Sequence, residues 1–363
     1  MKVAVHAGQL LQPVPGGIGR YEIALLRQLA EPDIDIEPIA FAAGERPRSV
    51  AHRVPWIDLG PPHGSARYEM WHRLRRPQVR IEADVVHAPS LAVPPVRGRP
   101  LVVTVHDIAP ERLPEATTTR GVRFHARGLA LARRHASLVI VPSKFTGDEL
   151  EREGFERDRI EVVPFGVDAP LARDPDEIDR AVARAGVESP YVLTVGTVEP
   201  RKDIPTIVRA VRELRRDRPE LKLVVVGPPG WGEVTGLDHP FVHVIGAQPW
   251  ATLDALYRRA DVFCLASLYE GFGLPVVEAM ARGVPTVATT GSALEEIVEG
   301  AGALFTPGDV DGCVEQIARV LDDKELRIEM GRAGMERAAG LNWKRTAHGH
   351  VRAYSRSLTR PYS

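Results

Sequence analysis

The sequence predicts an α/β protein of two doubly wound, Rossmann-like domains. Three observations predict it. Apolar runs of strand length alternate with helix-period segments from one end of the chain to the other, the pattern of repeated βα units. A charged, proline-containing stretch over 165–190, with Pro170, Pro175 and Pro190, interrupts the alternation once, as an inter-domain linker does. The chain has 363 residues, about twice a ~150-residue domain.

Strands are expected over 2–6, 36–40, 84–87, 101–106, 138–141 and 160–163 before the break. After it they are expected over 191–195, 221–226, 242–245, 262–266 and 285–288. Many carry Val, Ile and Leu on both faces, as parallel strands covered on both sides do. Helices fill the intervals. Ile18, Tyr21, Leu25 and Leu29 make one face of the first, and Pro32 follows its end. Right-handed crossovers then give two open sheets, over residues 1–168 and 187–342. Ligands of such sheets bind outside the carboxyl ends of the strands, so two facing sheets would enclose a cleft.

Composition narrows the function. The chain carries 47 basic and 48 acidic side chains, without the basic excess of a nucleic-acid binder. It is 44% hydrophobic and 26% charged, which excludes a disordered chain, a collagen-like repeat and a disulfide scaffold. Its apolar runs fall short of the ~20 residues that cross a bilayer. No basic region precedes an apolar signal core near Met1. Cys264 and Cys313 have no metal-ligand spacing around them, so neither a zinc site nor a disulfide framework is expected, and the compartment reads as reducing and cytoplasmic.

The most informative stretch runs from Ser267 through Tyr269-Glu270-Gly271-Phe272-Gly273-Leu274-Pro275 to Glu278. Pro275 suits the first turn of a helix. Gly271 and Gly273 let the backbone approach a ligand, and a helix N-terminus there offers amides to an anion. Glu270 before the helix and Glu278 one turn inside it can bracket a ligand with several hydroxyls, because each carboxylate accepts more than one hydrogen bond. The competing reading is an ordinary strand-turn-helix with solvated glutamates.

Arg201 and Lys202 follow the strand 191–195 and precede a helix near Asp203. Two cations at a strand end could hold a phosphate group, or could merely cap a turn. Pro15-Gly16-Gly17-Ile18-Gly19-Arg20 opens the first helix but lacks the Gly-x-Gly-x-x-Gly spacing and a phosphate-loop lysine. His106 and Asp107 close the strand 101–106; His106 is either a cleft ligand or a buried histidine satisfied by backbone, with Asp107 capping the next turn. Ser143 is expected to cap a helix, and Asp309 of Asp309-x-Asp311 to be an N-cap rather than a metal ligand. Cys264 is expected in the core, and His348 and His350 at the surface.

Taken together, Glu270-x7-Glu278, Gly16-Gly-Ile-Gly-Arg-Tyr21, Val105-His-Asp107, Val141-Pro-Ser143, Val163-Pro-Phe-Gly-Val-Asp168, Val195-Gly-Thr-Val-Glu-Pro-Arg-Lys202 and Thr306-Pro-Gly-Asp309 closely resemble the retaining glycosyltransferases of family 4, over nearly the whole chain. The resemblance implies the GT-B architecture, with a helix in 343–363 returning to the first domain. It implies that Arg201 and Lys202 bind the diphosphate of a nucleotide sugar. Glu270 and the amides of Phe272, Gly273 and Leu274 would hold the sugar, Glu278 the ribose hydroxyls, Gly16 and Gly17 the donor phosphate, and His106 the transferred sugar. Many relatives have arginine where Thr197 stands.

The reaction implied is hexosyl transfer with retention, mannosyl being favoured, from a nucleotide diphosphate sugar to an acceptor hydroxyl on a lipid-linked or polysaccharide substrate. No metal or other cofactor and no nucleic-acid partner are expected. The alternatives are a sugar-nucleotide epimerase of the same architecture or a non-catalytic nucleotide-sugar-binding module; the missing glycine fingerprint disfavours a dinucleotide-dependent oxidoreductase. The segment 67–80, with Arg67, Arg73, Arg75, Arg76, Arg80 and Trp71 against Glu69, reads either as a solvated helix face, the commoner case, or as a peripheral contact with the inner face of a membrane.

Overall fold

The structure, a computed structural model, describes residues 1–360; the last residues of the closing segment 343–363 lie outside the described residues. The chain divides into two compact units. The first comprises Met1–Pro114, Thr119–Gly166 and the segment from Trp343; the second comprises Glu115–Thr118 and Val167–Asn342.

The first unit holds β1 (Lys2–His6), β2 (Glu37–Ala42), β3 (Trp56–Asp58), β4 (Val85–Ala88), β5 (Leu101–Thr104), β6 (Leu138–Val141) and β7 (Ile160–Val162). All are parallel, in the order β3-β2-β1-β4-β5-β6-β7. The chain order reverses between β1 and β4, a topological switch point. The helix Trp343–Leu358 packs on the helix Gly16–Leu29 and on β4, β5 and β6. Its buried residues Trp343, Thr346, Ala347, His350, Ala353, Tyr354 and Ser357 recur at three and four positions, one face of a helix.

The second unit holds β8 (Tyr191–Val195), β9 (Lys222–Val226), β10 (Val242–Val244), β11 (Val262–Leu265), β12 (Thr286–Thr289) and β13 (Ala303–Phe305). These too are parallel, in the order β10-β9-β8-β11-β12-β13, with the switch point between β8 and β11. The helix Ile204–Leu214 presents Ile204, Ile207, Val208, Val211 and Leu214 to a core that includes Leu223, Val225, Cys264 and Val287. Cys264 Sγ and Cys313 Sγ lie 3.9 Å apart, fully buried and unbridged.

Two strands, β3 and β13, carry no sequence expectation. Each is three residues long at a sheet edge, too short for an apolar run. The strand expected to reach residue 106 ends at Thr104, because His106 turns towards the loop after β4. The first unit's stretch before the linker ends at Gly166, and the helix Pro175–Arg184, between the expected domains, belongs to the second unit. Asp174 caps it, accepting from the amides of Asp176 (3.0 Å) and Glu177 (3.2 Å).

His350 is fully buried, a correction to the surface expectation; His348 is exposed. Ser143 accepts from Thr146 N at 3.1 Å and Asp309 from Gly312 N at 3.0 Å, both as N-caps. The segment 67–80 is only partly a surface feature. Arg67 is buried and donates to the carbonyls of Leu59, Gly60, Pro61 and Pro62. Arg75 donates to Trp71, Val93 and Pro94. Arg73, Leu74, Arg76 and Arg80 stay exposed. Among the described residues no helix is long and apolar enough to cross a membrane.

Candidate active site

In the second unit, the residues with charged chemistry converge on the switch point. The β8 strand runs out through Gly196 into a short 3-10 turn, Pro200–Lys202. Asp203 ends that turn in the left-handed region, at φ 42° and ψ 43°, and starts the helix Ile204–Leu214. The β11 strand runs out into Ser267–Gly273. The two loops are tied by Leu268 N donating to Arg201 O at 2.8 Å.

Glu270 is the centre of the cluster and is 7% exposed. Its Oε1 accepts from Lys202 Nζ and, at 2.7 Å, from Ser267 Oγ; its Oε2 lies 3.3 Å from Arg201 Nη1. Arg201 also donates to Tyr269 O at 2.8 Å and to Glu199 Oε1 at 3.1 Å. Burial alone would raise the Glu270 carboxyl, but Lys202 and Arg201 together outweigh it and bring its pKa down to about 2. Burial raises Glu199 against the partial opposition of the same two cations. Lys202 needs Gly196, where a Cβ would lie 3.3 Å from Lys202 Cε.

The glycine loop then opens the helix Leu274–Ala281. Gly273 takes φ 94°, and a Cβ there would meet Leu294 Cδ2 at 2.4 Å. Both facts demand glycine. Gly273→Ala is expected to destabilise the protein by about 1–3 kcal/mol and to displace the Glu270 loop; urea melts and nucleotide titrations check the two effects.

Glu278, one turn inside, is 1% exposed. Its Oε2 accepts from Tyr257 Oη at 2.8 Å. Arg282 donates to Glu278 O at 3.0 Å and to the buried Asp254 at 2.8 Å, and lies over the Trp250 ring at 4.8 Å. This ion pair fastens the helix that carries Glu278 to the helix Trp250–Arg259.

Gly16, Gly17 and His106 belong to the first unit. Gly16 (φ 61°) and Gly17 begin the helix Gly16–Leu29, exposed, with open space where a Cβ would point. Its N-cap residue, Pro15, makes no side-chain capping hydrogen bond. The His106 ring donates through Nε2 to Pro89 O at 2.6 Å, since a carbonyl only accepts. Burial lowers the ring's pKa, with that carbonyl opposing it. A neutral ring so held presents Nδ1 as an acceptor. Asp107 caps the following turn, accepting from Ala109 N at 3.0 Å.

Behind His106 runs a buried hydrogen-bond chain with one proton order. His350 Nδ1 must donate to Thr346 O, at 2.8 Å. Its Nε2 therefore accepts from Tyr21 Oη at 2.6 Å, and Tyr21 Oη accepts from Thr104 Oγ1 at 3.0 Å. Thr104 Oγ1 accepts from His87 Nε2 at 2.8 Å, leaving His87 Nδ1 to accept from Tyr354 Oη at 2.9 Å. The Tyr21 ring stands edge-on to His106, centroids 5.0 Å apart. The chain ties β4, β5 and the first and last helices of this unit together.

Sequence reasoning assigned no role to Ser267, Glu199 or Tyr257. The first two lie inside the quoted motifs, and their position beside Glu270 and Arg201 was the available signal. Tyr257 lies 21 positions from Glu278 and had none. Among the described residues no group of three or more His, Cys, Asp or Glu is placed to hold a metal ion.

Two parallel, doubly wound units are the GT-B fold, and a cation–carboxylate cluster at the second switch point suits a transferase acting on sugars. Residues 15–171 match Glycosyltransferase Family 4, and residues 175–337 match Glycosyl transferases group 1. The chain is 31% identical to MMP alpha-(1->4)-mannosyltransferase of Mycolicibacterium hassiacum, over 95% of this chain and 96% of that protein. It is 27% identical to O-antigen chain mannosyltransferase B of Escherichia coli, over 98% and 99%. Among solved structures, Anabaena Alr3699/HepE in complex with UDP and glucose has the same fold, with a TM-score of 0.76 at 22% identity, covering 98% of this chain and 99% of that one. The chain belongs to the family 4, group 1 glycosyltransferases.

Proposed function

We propose that this protein transfers a hexosyl group, mannosyl by preference, from a nucleotide diphosphate sugar to an acceptor hydroxyl, with retention at the anomeric carbon. The observation that carries the reading is the joining of Arg201, Lys202 and Glu270 at the carboxyl ends of β8 and β11, where doubly wound sheets bind nucleotides. The mannosyl preference rests on the two relatives named as mannosyltransferases; retention rests on the Glu270-x7-Glu278 resemblance.

In this reading Arg201 and Lys202 hold the diphosphate. The bond from the anomeric carbon to the phosphate oxygen breaks, and the cations stabilise the charge that oxygen gains. The acceptor oxygen bonds to the same face, and its proton passes to the departing phosphate. Glu270, ionised because of its cations, accepts hydroxyls of the sugar; His106 Nδ1 accepts another. Glu278 anchors the ribose, and Gly16 and Gly17 offer amides to the phosphate. The acceptor is a lipid-linked or polysaccharide chain end.

The test is a panel of nucleotide sugars, followed for nucleoside diphosphate release with and without acceptors, with NMR of the product's anomeric centre. Release only with an acceptor, and retained configuration, are expected; conversion of the sugar nucleotide without an acceptor would instead mark an epimerase. Glu278→Gln keeps the shape and removes the charge. It is expected to weaken GDP or UDP binding by roughly tenfold to a hundredfold, the loss of a charge-assisted hydrogen bond, read by calorimetry.

A further inference from the structure

The cluster at the second unit's switch point holds a carboxylate besides Glu270. Glu199, 1% exposed, precedes the turn Pro200–Lys202 that carries both cations. Its Oε1 accepts from Arg201 Nε at 3.1 Å and lies 2.9 Å from Arg201 Nη2. Arg201 Nη1 donates to Tyr269 O at 2.8 Å and lies 3.3 Å from Glu270 Oε2. Every nitrogen of the guanidinium is therefore engaged, and Glu199 holds the edge that Glu270 does not. The segment after β9, Gly227-Pro228-Pro229-Gly230, packs on Glu199. Gly230 N donates to Val198 O at 3.0 Å, and a Cβ on Gly230 would lie 3.1 Å from Glu199 Cβ.

The charges around Glu199 add up in a definite way. From its own turn it faces Arg201 and Lys202, and from the loop after β11 it faces Glu270. The segment 227–230 brings no titratable side chain. Asp203, at the end of the turn, is held by Thr206 Oγ1, which donates to it at 2.7 Å. With both glutamates ionised, two cations meet two carboxylates and the cluster is neutral. A diphosphate adds a negative charge at each phosphate, and buried charge must be compensated. Protonating one glutamate leaves the cluster singly positive. Glu270 is the poorer candidate: burial would raise it, but Lys202, Arg201 and Ser267 bring it down to about 2. Burial also raises Glu199, where Arg201 and Lys202 offset the rise only in part and Glu270 adds to it. An anion arriving beside it raises it further.

We propose that Glu199 positions Arg201 in the nucleotide-free protein and takes up a proton from solvent when the donor's diphosphate binds, so that a neutral cluster becomes singly positive as the anion enters. The proposal rests on the reading that Arg201 and Lys202 hold the diphosphate, and adds a proton to that binding step. Protonated Glu199 keeps its place beside Arg201 but no longer competes with phosphate oxygens for the guanidinium's charge. Release of the nucleotide returns the proton. The nucleotide-bound protein holds more protons than the free one, so affinity rises as pH falls from the carboxyl's bound value towards its free value.

The test uses the full chain with GDP-mannose, UDP-glucose and UDP-N-acetylglucosamine, whose diphosphate diesters do not titrate near neutral pH. Calorimetry at about pH 6.5, in Pipes and in imidazole, counts protons from the two buffers' unlike ionisation enthalpies; about half a proton or more per nucleotide is expected. Affinity is expected to rise roughly threefold or more from about pH 8 to about pH 6. Glu199→Gln keeps the shape and cannot titrate. It is expected to abolish the uptake, to flatten the pH dependence, and to bind about threefold or more tightly than the unaltered protein at about pH 8. A residue that merely braced Arg201 would change affinity without changing the proton count. Binding by the unaltered protein with no proton uptake overturns the proposal, whether or not the variant folds. Uptake that survives in folded Glu199→Gln also overturns it, since the proton then belongs to another group. Failure of all three nucleotides to bind at roughly millimolar concentration sinks the transferase reading and the proposal with it; binding without uptake sinks the proposal alone.

Discussion

The double variant Arg201→Ala, Lys202→Ala is expected to lose transfer by about three orders of magnitude or more, since removing one oriented charge-stabilising group costs roughly a hundred- to a thousandfold. It is also expected to lose stability. In the intact protein burial raises Glu270 and the two cations more than reverse it, to about 2. Without them the buried carboxylate keeps the hydrogen bond from Ser267 Oγ but loses both cations, and an uncompensated buried charge costs about 3–5 kcal/mol. The two losses separate by their pH dependence. The intact protein's Glu270 contributes stability that is present above its unfolded pKa and lost as pH falls towards 2. In the variant the carboxyl is raised above its unfolded value, so the penalty is largest at high pH and eases as pH falls and the group takes a proton. Transfer should not recover with it. A folded double variant with unimpaired turnover would sink the assignment.

Acidification is expected to destabilise the first unit steeply between about pH 6.5 and pH 4. His6, His72, His87 and His350 are all buried there, and burial is the main reason each titrates low: His6 at about 3, His72 and His350 at about 4, His87 well below its ordinary value. Well above pH 6.5 folded and unfolded rings are both neutral and pH has no leverage. Below it the unfolded chain binds protons that the folded chain refuses, so stability falls with pH until the folded-state values are passed. At about 1.4 kcal/mol per pKa unit, His350 alone contributes on the order of 3 kcal/mol. That is a large fraction of the ~5–15 kcal/mol that holds a domain folded. Melting temperature against pH checks it, with limited proteolysis to show which unit opens first. His350→Gln should flatten the slope, and a melting temperature unchanged from pH 6.5 to pH 5 would rule the mechanism out.

Much of this molecule was legible in its residues. The strands 138–141 and 191–195 fall where expected, because a parallel strand buried on both faces must be apolar throughout. Ser143 and Asp309 cap their helices as expected, because capping depends on residues three apart. Edge strands β3 and β13 were not legible: each is only three residues long and pairs on one side, too short for a periodic pattern to show. Neither was the interior of the last helix. His350 reads as polar, yet it is buried because Tyr21 and the carbonyl of Thr346 satisfy both ring nitrogens. Arg67 and Arg75 read as a cationic face, yet backbone carbonyls engage both.

The order of βα units, the helix caps and the glycine-flanked carboxylate were set by the sequence itself, since each depends on neighbours within a few residues. Folding alone decided which charges meet. Lys202 and Glu270 are 68 positions apart, Tyr21 and His350 are 329 apart, and no local rule links them. Parallel strands bring distant loops to one end of a sheet, and whether a charge there is solvated, paired or buried depends on what the rest of the chain places beside it.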